Sequence, residues 1–171
     1  PIRAIPFYFI IYNISFLDSY FESISGFTST GFSMFDNIKH LDESLILWRS
    51  SSQWIGGLYF LFSLILLIDI FDENIKKSLT NFLSFNISET FKQAFKILIL
   101  YSLLTVIVFL ILKIFEFRTF NSFNLAMSLV SSGGFLPVND LSMIVNTNTK
   151  EIIFAFLMLI SFFSIFLSYN L

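Results

Sequence analysis

The sequence predicts an all-α membrane protein made of tandem helix–loop–helix units, and three observations carry that expectation. The first is composition: 56% of the 171 residues are hydrophobic and 13% are charged, against roughly 25% charged in an ordinary soluble domain. Such a chain has too little polar surface to cover a water-soluble globule, so lipid is the expected solvent. The second is a set of four apolar stretches, each approaching the ~20 residues that a helix needs to cross the hydrocarbon core. The third is self-similarity: one shift of the chain along itself carries Ser19 onto Ser122, Ser25 onto Ser128, Ser29 onto Ser132 and Gly31 onto Gly134.

The elements follow in order. Ala4 to Leu17 reads as a span lacking its beginning, Trp54 to Ile70 as a second, Ile97 to Phe115 as a third and Ile152 to Ser168 as a fourth. A helix is the open-chain element that satisfies its own backbone in lipid. Lys113 falls where its ammonium can reach the interface. Between the first two spans, and again between the last two, a short amphipathic run (Leu17 to Ile24; Phe120 to Val130) is too short to cross. Each run leads into a turn rich in small residues: Ser25-Gly26-Phe27-Thr28-Ser29-Thr30-Gly31-Phe32 in one, Ser128-Leu129-Val130-Ser131-Ser132-Gly133-Gly134-Phe135 in the other. A polar tail follows, with Asn37 in the first and Asn139-Asp140 in the second. The economical reading is two consecutive units of span, short helix, glycine loop and span. Residues 1–75 hold the first, and residues 76–171 hold a linker and the second.

The chain opens on Pro1 and enters an apolar stretch without a charged leader or cleavage site. It also stops within one, so both ends are expected to be truncations. Lys76, Lys77, Lys92 and Lys96 crowd the linker, whereas the first glycine connector carries five carboxylates against Lys39 and Arg49. By the positive-inside tendency the linker is cytoplasmic and both glycine loops open outward.

Composition also excludes classes. A net charge of −2 points away from nucleic acid. Without cysteine there is no disulfide, thiolate metal site or thiol nucleophile, and His40 alone makes no transition-metal cluster. The spans hold almost no clustered acids, bases or ligands, so an enzyme is not expected, nor a cofactor.

A short helix and a glycine turn at membrane depth are costly unless buried in protein or lining a water-filled cavity. Glycine admits backbone conformations closed to other residues, so successive carbonyls can converge and replace the water shell of a cation. The C-terminus of the preceding helix adds partial negative charge. No carboxylate lies within Gly26 to Gly31 or Ser131 to Gly134, which suits a monovalent ion better than a divalent one. The plainer alternative is a pair of surface loops joining helices; in a membrane anchor or sensor with no conduction path they would be water-exposed.

The run Asp18-Ser-Tyr-Phe-Glu-Ser-Ile-Ser-Gly-Phe-Thr-Ser-Thr-Gly-Phe32, then Leu47-Trp48-Arg49-Ser50 and Gln53-Trp54-Ile55-Gly56-Gly57, resembles the first pore loop and following helix of the Trk/Ktr/HKT family of potassium transporters. That family carries an "SGFTTTG" filter and a downstream "WRS…QWIGG" stretch. Ser131-Ser132-Gly133-Gly134-Phe135 matches the second filter more loosely. The resemblance implies a potassium-channel-like fold of four tandem helix–pore-loop–helix repeats around one pore, of which this chain covers most of two. It implies potassium transport in a multi-pass cell membrane protein of a bacterial inner membrane, a homodimer and a cytosolic nucleotide-binding gating subunit. Mapped onto this chain, Thr28, Ser29, Thr30 and Gly31 would form one filter wall and Ser131, Ser132, Gly133 and Gly134 another, with potassium as substrate. Ser29 departs from the usual threonine but keeps its hydroxyl, and Gly133 is expected to loosen the second wall. Gly31, being glycine rather than serine, leans toward potassium; a sodium-permeable or non-selective member is the alternative.

Arg49, beside Trp48 and Trp54, reads as an interfacial anchor with its indoles at headgroup depth; a role in the potential at the pore mouth is the second reading. Gly56-Gly57 is expected to permit close helix packing. Asp69, near Asp72 and Glu73, reads as a solvated boundary residue. Glu22 is expected either to face outside water or to draw cations to the entrance. His40 reads as solvated, and the 25 phenylalanines as lipid-facing or packing residues.

Overall fold

Six helices form the regular structure of a computed structural model that describes residues 4–11, 14–71 and 87–162. They are α1 (Ile5–Ile10), α2 (Phe16–Phe27), α3 (Glu43–Phe71), α4 (Ile87–Ile114), α5 (Thr119–Val130) and α6 (Asn148–Phe162). No strand occurs among the described residues. The linker residues Lys76 and Lys77, Asp72 and Glu73, the boundary between residues 75 and 76, and the far end of the fourth apolar stretch lie outside the described residues. So does the side chain of Asp69.

The first apolar run is not one helix. Pro6 helps set the start of α1, but Ile11 is extended (φ −93°, ψ 117°) and ends it. Ser15 then begins a new helix: its hydroxyl accepts from the Asp18 amide at 3.0 Å and donates to the Asp18 carboxylate at 2.7 Å, a reciprocal cap. A polar cap outweighs the apolar continuity that suggested a single span. Helix α3 also begins earlier than its apolar run, at Glu43. Ala94–Ile114 of α4 is the one helix among the described residues that is long and apolar enough to cross a membrane.

Helix α2 is turned inside out relative to a surface helix of a soluble protein. Ser19, Glu22, Ser23 and Ser25 are buried, while Phe16, Leu17, Tyr20, Phe21 and Ile24 are exposed. Helix α5, expected to be amphipathic, is enclosed from Leu125 to Val130 because it lies between α3 and α4. The core sits there, with Leu58, Leu61, Tyr101, Val108, Leu112, Leu125, Leu129 and Leu157 in one cluster. Helices α3 and α4 are joined by polar contacts as well. The Trp54 indole donates to Thr105 Oγ1 at 2.9 Å, and the Tyr101 hydroxyl donates to the Trp54 carbonyl at 3.2 Å. Trp54 is therefore a packing residue against α4 rather than a headgroup anchor.

Close packing at Gly56-Gly57 is present as the sequence suggested. A Cβ on Gly56 would overlap the Phe27 carbonyl at the end of α2, and one on Gly57 would stand 2.7 Å from Tyr101 Oη and 2.8 Å from Ser131 Cβ. Two adjacent glycines thus bring α3 against the ends of both short helices. Gly56→Val is expected to cost about 3 kcal/mol or more, since neither backbone can retreat cheaply. Thermal unfolding in detergent, with a substitution at exposed Ser63 of the same helix as control, measures this; equal midpoints for the two would remove Gly56 from the contact.

Candidate functional site

The two short helices and the turns after them are built alike, position for position. Both helices have 12 residues. The Thr28 amide bonds the Ile24 carbonyl at 2.8 Å, and the Ser131 amide bonds that of Met127 at 3.2 Å. Ser29 to Gly26 (3.1 Å) is matched by Ser132 to Leu129 (2.9 Å), and Thr30 to Ser25 (3.0 Å) by Gly133 to Ser128 (2.7 Å). Ser29 and Ser132 share a left-handed backbone, with φ 54° and φ 53°. That conformation costs a residue with a side chain about 1–2 kcal/mol, and it recurs at matched places. Past the turns, the short 3-10 helices Ile38–His40 and Leu141–Met143 also correspond.

The turns meet at their glycines. Gly31 has φ 81°, and a Cβ there would overlap the Gly134 backbone, while one on Gly134 would stand 3.1 Å from Gly31 Cα. The eight sequence-nominated residues therefore fall into two turns, Thr28, Ser29, Thr30 and Gly31 facing Ser131, Ser132, Gly133 and Gly134, joined at the last member of each. Among the described residues no hydrogen bond ends on any of their eight main-chain carbonyls. Backbone carbonyls in folded proteins are mostly paired. The Thr28 and Thr30 hydroxyls lie 2.7 Å apart.

Helix α3 carries both turns. Gln53, fully buried, accepts from Ser128 Oγ at 3.0 Å and from the Phe135 amide at 3.3 Å through Oε1, and its main-chain carbonyl takes Ser29 Oγ at 3.5 Å. A Cβ on Gly133 would stand 2.5 Å from Gln53 Cδ. Gly133, expected to loosen the second wall, is instead packed against this amide. The polar tails also meet: Asn139 donates to Asn37 Oδ1 at 2.8 Å and accepts from the Ile38 amide at 2.6 Å.

Two residues behave differently from the sequence expectation. Arg49 and Glu22 are buried, 1% and 0% exposed, and form an ion pair with Nε 2.7 Å from Oε1. Arg49 is thus not an interfacial anchor, and Glu22 does not face outside water. A short helix with one carboxylate on its inner face and an arginine one helix away was the available signal; the neighbouring tryptophans outweighed it.

Gln53→Leu would leave the Phe135 amide and the Ser128 hydroxyl without their acceptor, at an expected cost of about 3 kcal/mol. Denaturation of the purified protein in micelles measures it, and a shift within about 0.5 kcal/mol, as for an ordinary surface change, would deny Gln53 its linking role.

Comparison with known proteins gives the following. No family profile matches the chain, and no solved structure matches it significantly. An uncharacterized cation transporter of Methanocaldococcus jannaschii is 31% identical over 163 residues, covering 84% of this chain and 32% of that protein. The Trk system potassium uptake protein TrkG of Escherichia coli is 39% identical over 46 residues, 27% of this chain and 10% of that protein. TrkI of Halomonas elongata, of the same description, is 40% identical over 45 residues, 26% of this chain and 9% of that protein. The chain spans about a third of the length of the archaeal relative. It is similar, over most of its own length, to a protein named for cation transport.

Proposed function

We propose that this chain supplies two walls of a potassium-conducting path through a membrane. The observation that carries the reading is the pair of matched turns whose eight carbonyls accept no hydrogen bond among the described residues while their glycines touch. Carbonyl oxygens of this kind replace the hydration shell of a desolvated cation, and several weak sites in series allow it to leave again. In this reading the C-termini of α2 and α5, ending at Thr28 and Ser131, add partial negative charge near the ion. Thr28, Ser29, Thr30 and Gly31 form one wall, and Ser131, Ser132, Gly133 and Gly134 the other. Glycine at Gly31 leaves the narrow point free of side chains. The names of the relatives support cation transport, and the Trk relatives support potassium.

The membrane setting follows from the same relatives and from the apolar outward faces of α2 and α4. On α4, Phe95, Ile99, Leu103, Val106, Leu110 and Ile114 are all exposed, as lipid-facing residues are. Helices α3 and α6 are the further spans of a multi-pass protein. Transport here needs no covalent chemistry, since binding and release are the whole task.

The intact gene product is expected to restore growth on limiting potassium to a bacterium lacking its own potassium uptake, and Gly31→Asp to abolish it at equal expression. Growth with both would take Gly31 off the ion path. No growth with a well-expressed parent would refute potassium uptake.

A further inference from the structure

Arg49 is the joint between the two glycine turns, and its contacts go beyond an ion pair. Glu22 Oε1 accepts from Arg49 Nε at 2.7 Å and from Ser33 Oγ at 3.2 Å, while Oε2 accepts from the Met34 amide at 2.9 Å. Arg49 Nη2 donates to Ser33 Oγ at 2.9 Å, and the Phe35 amide donates to the same hydroxyl at 3.1 Å. Ser25 Oγ donates to the Phe32 carbonyl at 2.5 Å. Every residue from Phe32 to Phe35 is therefore tied, through this network, to α2 or α3. That segment is the exit from Gly31.

The same guanidinium lies over Phe135, its central carbon 4.1 Å from the ring centroid. Phe135 is 2% exposed and directly follows Gly134. Its ring also presses on α2, because a Cβ on Gly26 would stand 3.0 Å from Phe135 Cε2. Arg49 thus grips the chain just beyond each glycine. One helical turn further along α3, Gln53 holds the second turn through Ser128 and the Phe135 amide.

We propose that Glu22 and Arg49 are positioning residues for ion discrimination, setting the spacing of the Gly31 and Gly134 turns. The inference rests on the conducting role proposed above. Discrimination between cations whose radii differ by a fraction of an ångström depends on where the oxygens are held, and these contacts hold the backbone that carries them. A need for stability alone does not account for the pair. A buried ion pair is often no more stabilising than apolar residues of similar volume, and the second unit manages with Leu125 and Ile152 at the matching positions.

The test uses the intact gene product reconstituted in vesicles, with rubidium tracer uptake competed by potassium or by sodium. The double variant Glu22→Gln/Arg49→Met removes both charges at similar volume, so its melting midpoint should stay near that of the parent. Its preference for potassium over sodium should fall about fivefold or more, as for coupled neighbours in one network. Arg49→Lys keeps the charge but loses the planar fork and the stacking, and its preference should fall as well. Should the double variant not fold, Arg49→Lys decides alone. A folded variant of either kind that keeps the parental preference overturns the inference and leaves the conducting role standing. A parent that takes up no tracer overturns the conducting role and this inference with it.

Discussion

Gly31 has no room for one carbon atom beyond its backbone where the two turns meet, Gly134 has little, and much of the surrounding structure serves that contact. Helix α3 approaches both short helices only because Gly56 and Gly57 lack side chains at the two points of approach. The left-handed serines, Ser29 and Ser132, bend each chain into position. Four glycines and two strained residues are an expensive way to join two helices. Backbone-to-backbone contact demands it, since any side chain would hold the turns apart.

Several buried polar groups cluster around this contact. Ser25, Gln53, Ser128 and the Glu22–Arg49 pair are all buried, in a low-dielectric setting where a satisfied network is rigid and an unsatisfied one is costly. Many outward positions of α2 and α4 are apolar, among them Phe16, Leu17, Tyr20, Phe21, Ile99, Leu103, Val106 and Leu110. This reversal links composition to architecture: the hydrophobic excess lies where a soluble protein would place its charges.

The two short helices, their turns and the matching of Gly31 with Gly134 were readable, because small residues in a repeated order leave a local mark. The helix-packing role of Gly56-Gly57 was readable for the same reason. The division of the first apolar run at Ile11 and Ser15 was not, since hydrophobicity gave no hint that a serine cap would begin a new helix there. The pairing of Arg49 with Glu22 is hard to read because it joins α2 to α3 across the fold, and the tryptophans beside Arg49 are a stronger local signal than one carboxylate on the inner face of α2. The packing of Gly133 is equally hard to read, since it is set by Gln53, a residue distant in the chain.

One asymmetry has a wider meaning. Phe21 and Ile24 of α2 are exposed, whereas the matching Asn124 and Met127 of α5 are buried; among the described residues α2 packs on α1 and α3, and α5 packs on α3, α4 and α6. Helix α3 packs on its own α2 and also on α5 of the second stretch. Such a contact is heterologous, head to tail, like that between neighbours in a cyclic oligomer rather than between the halves of a two-fold dimer. The two similar motifs thus have different neighbours among the described residues, and substitutions tolerated in the first short helix need not be tolerated at the same place in the second.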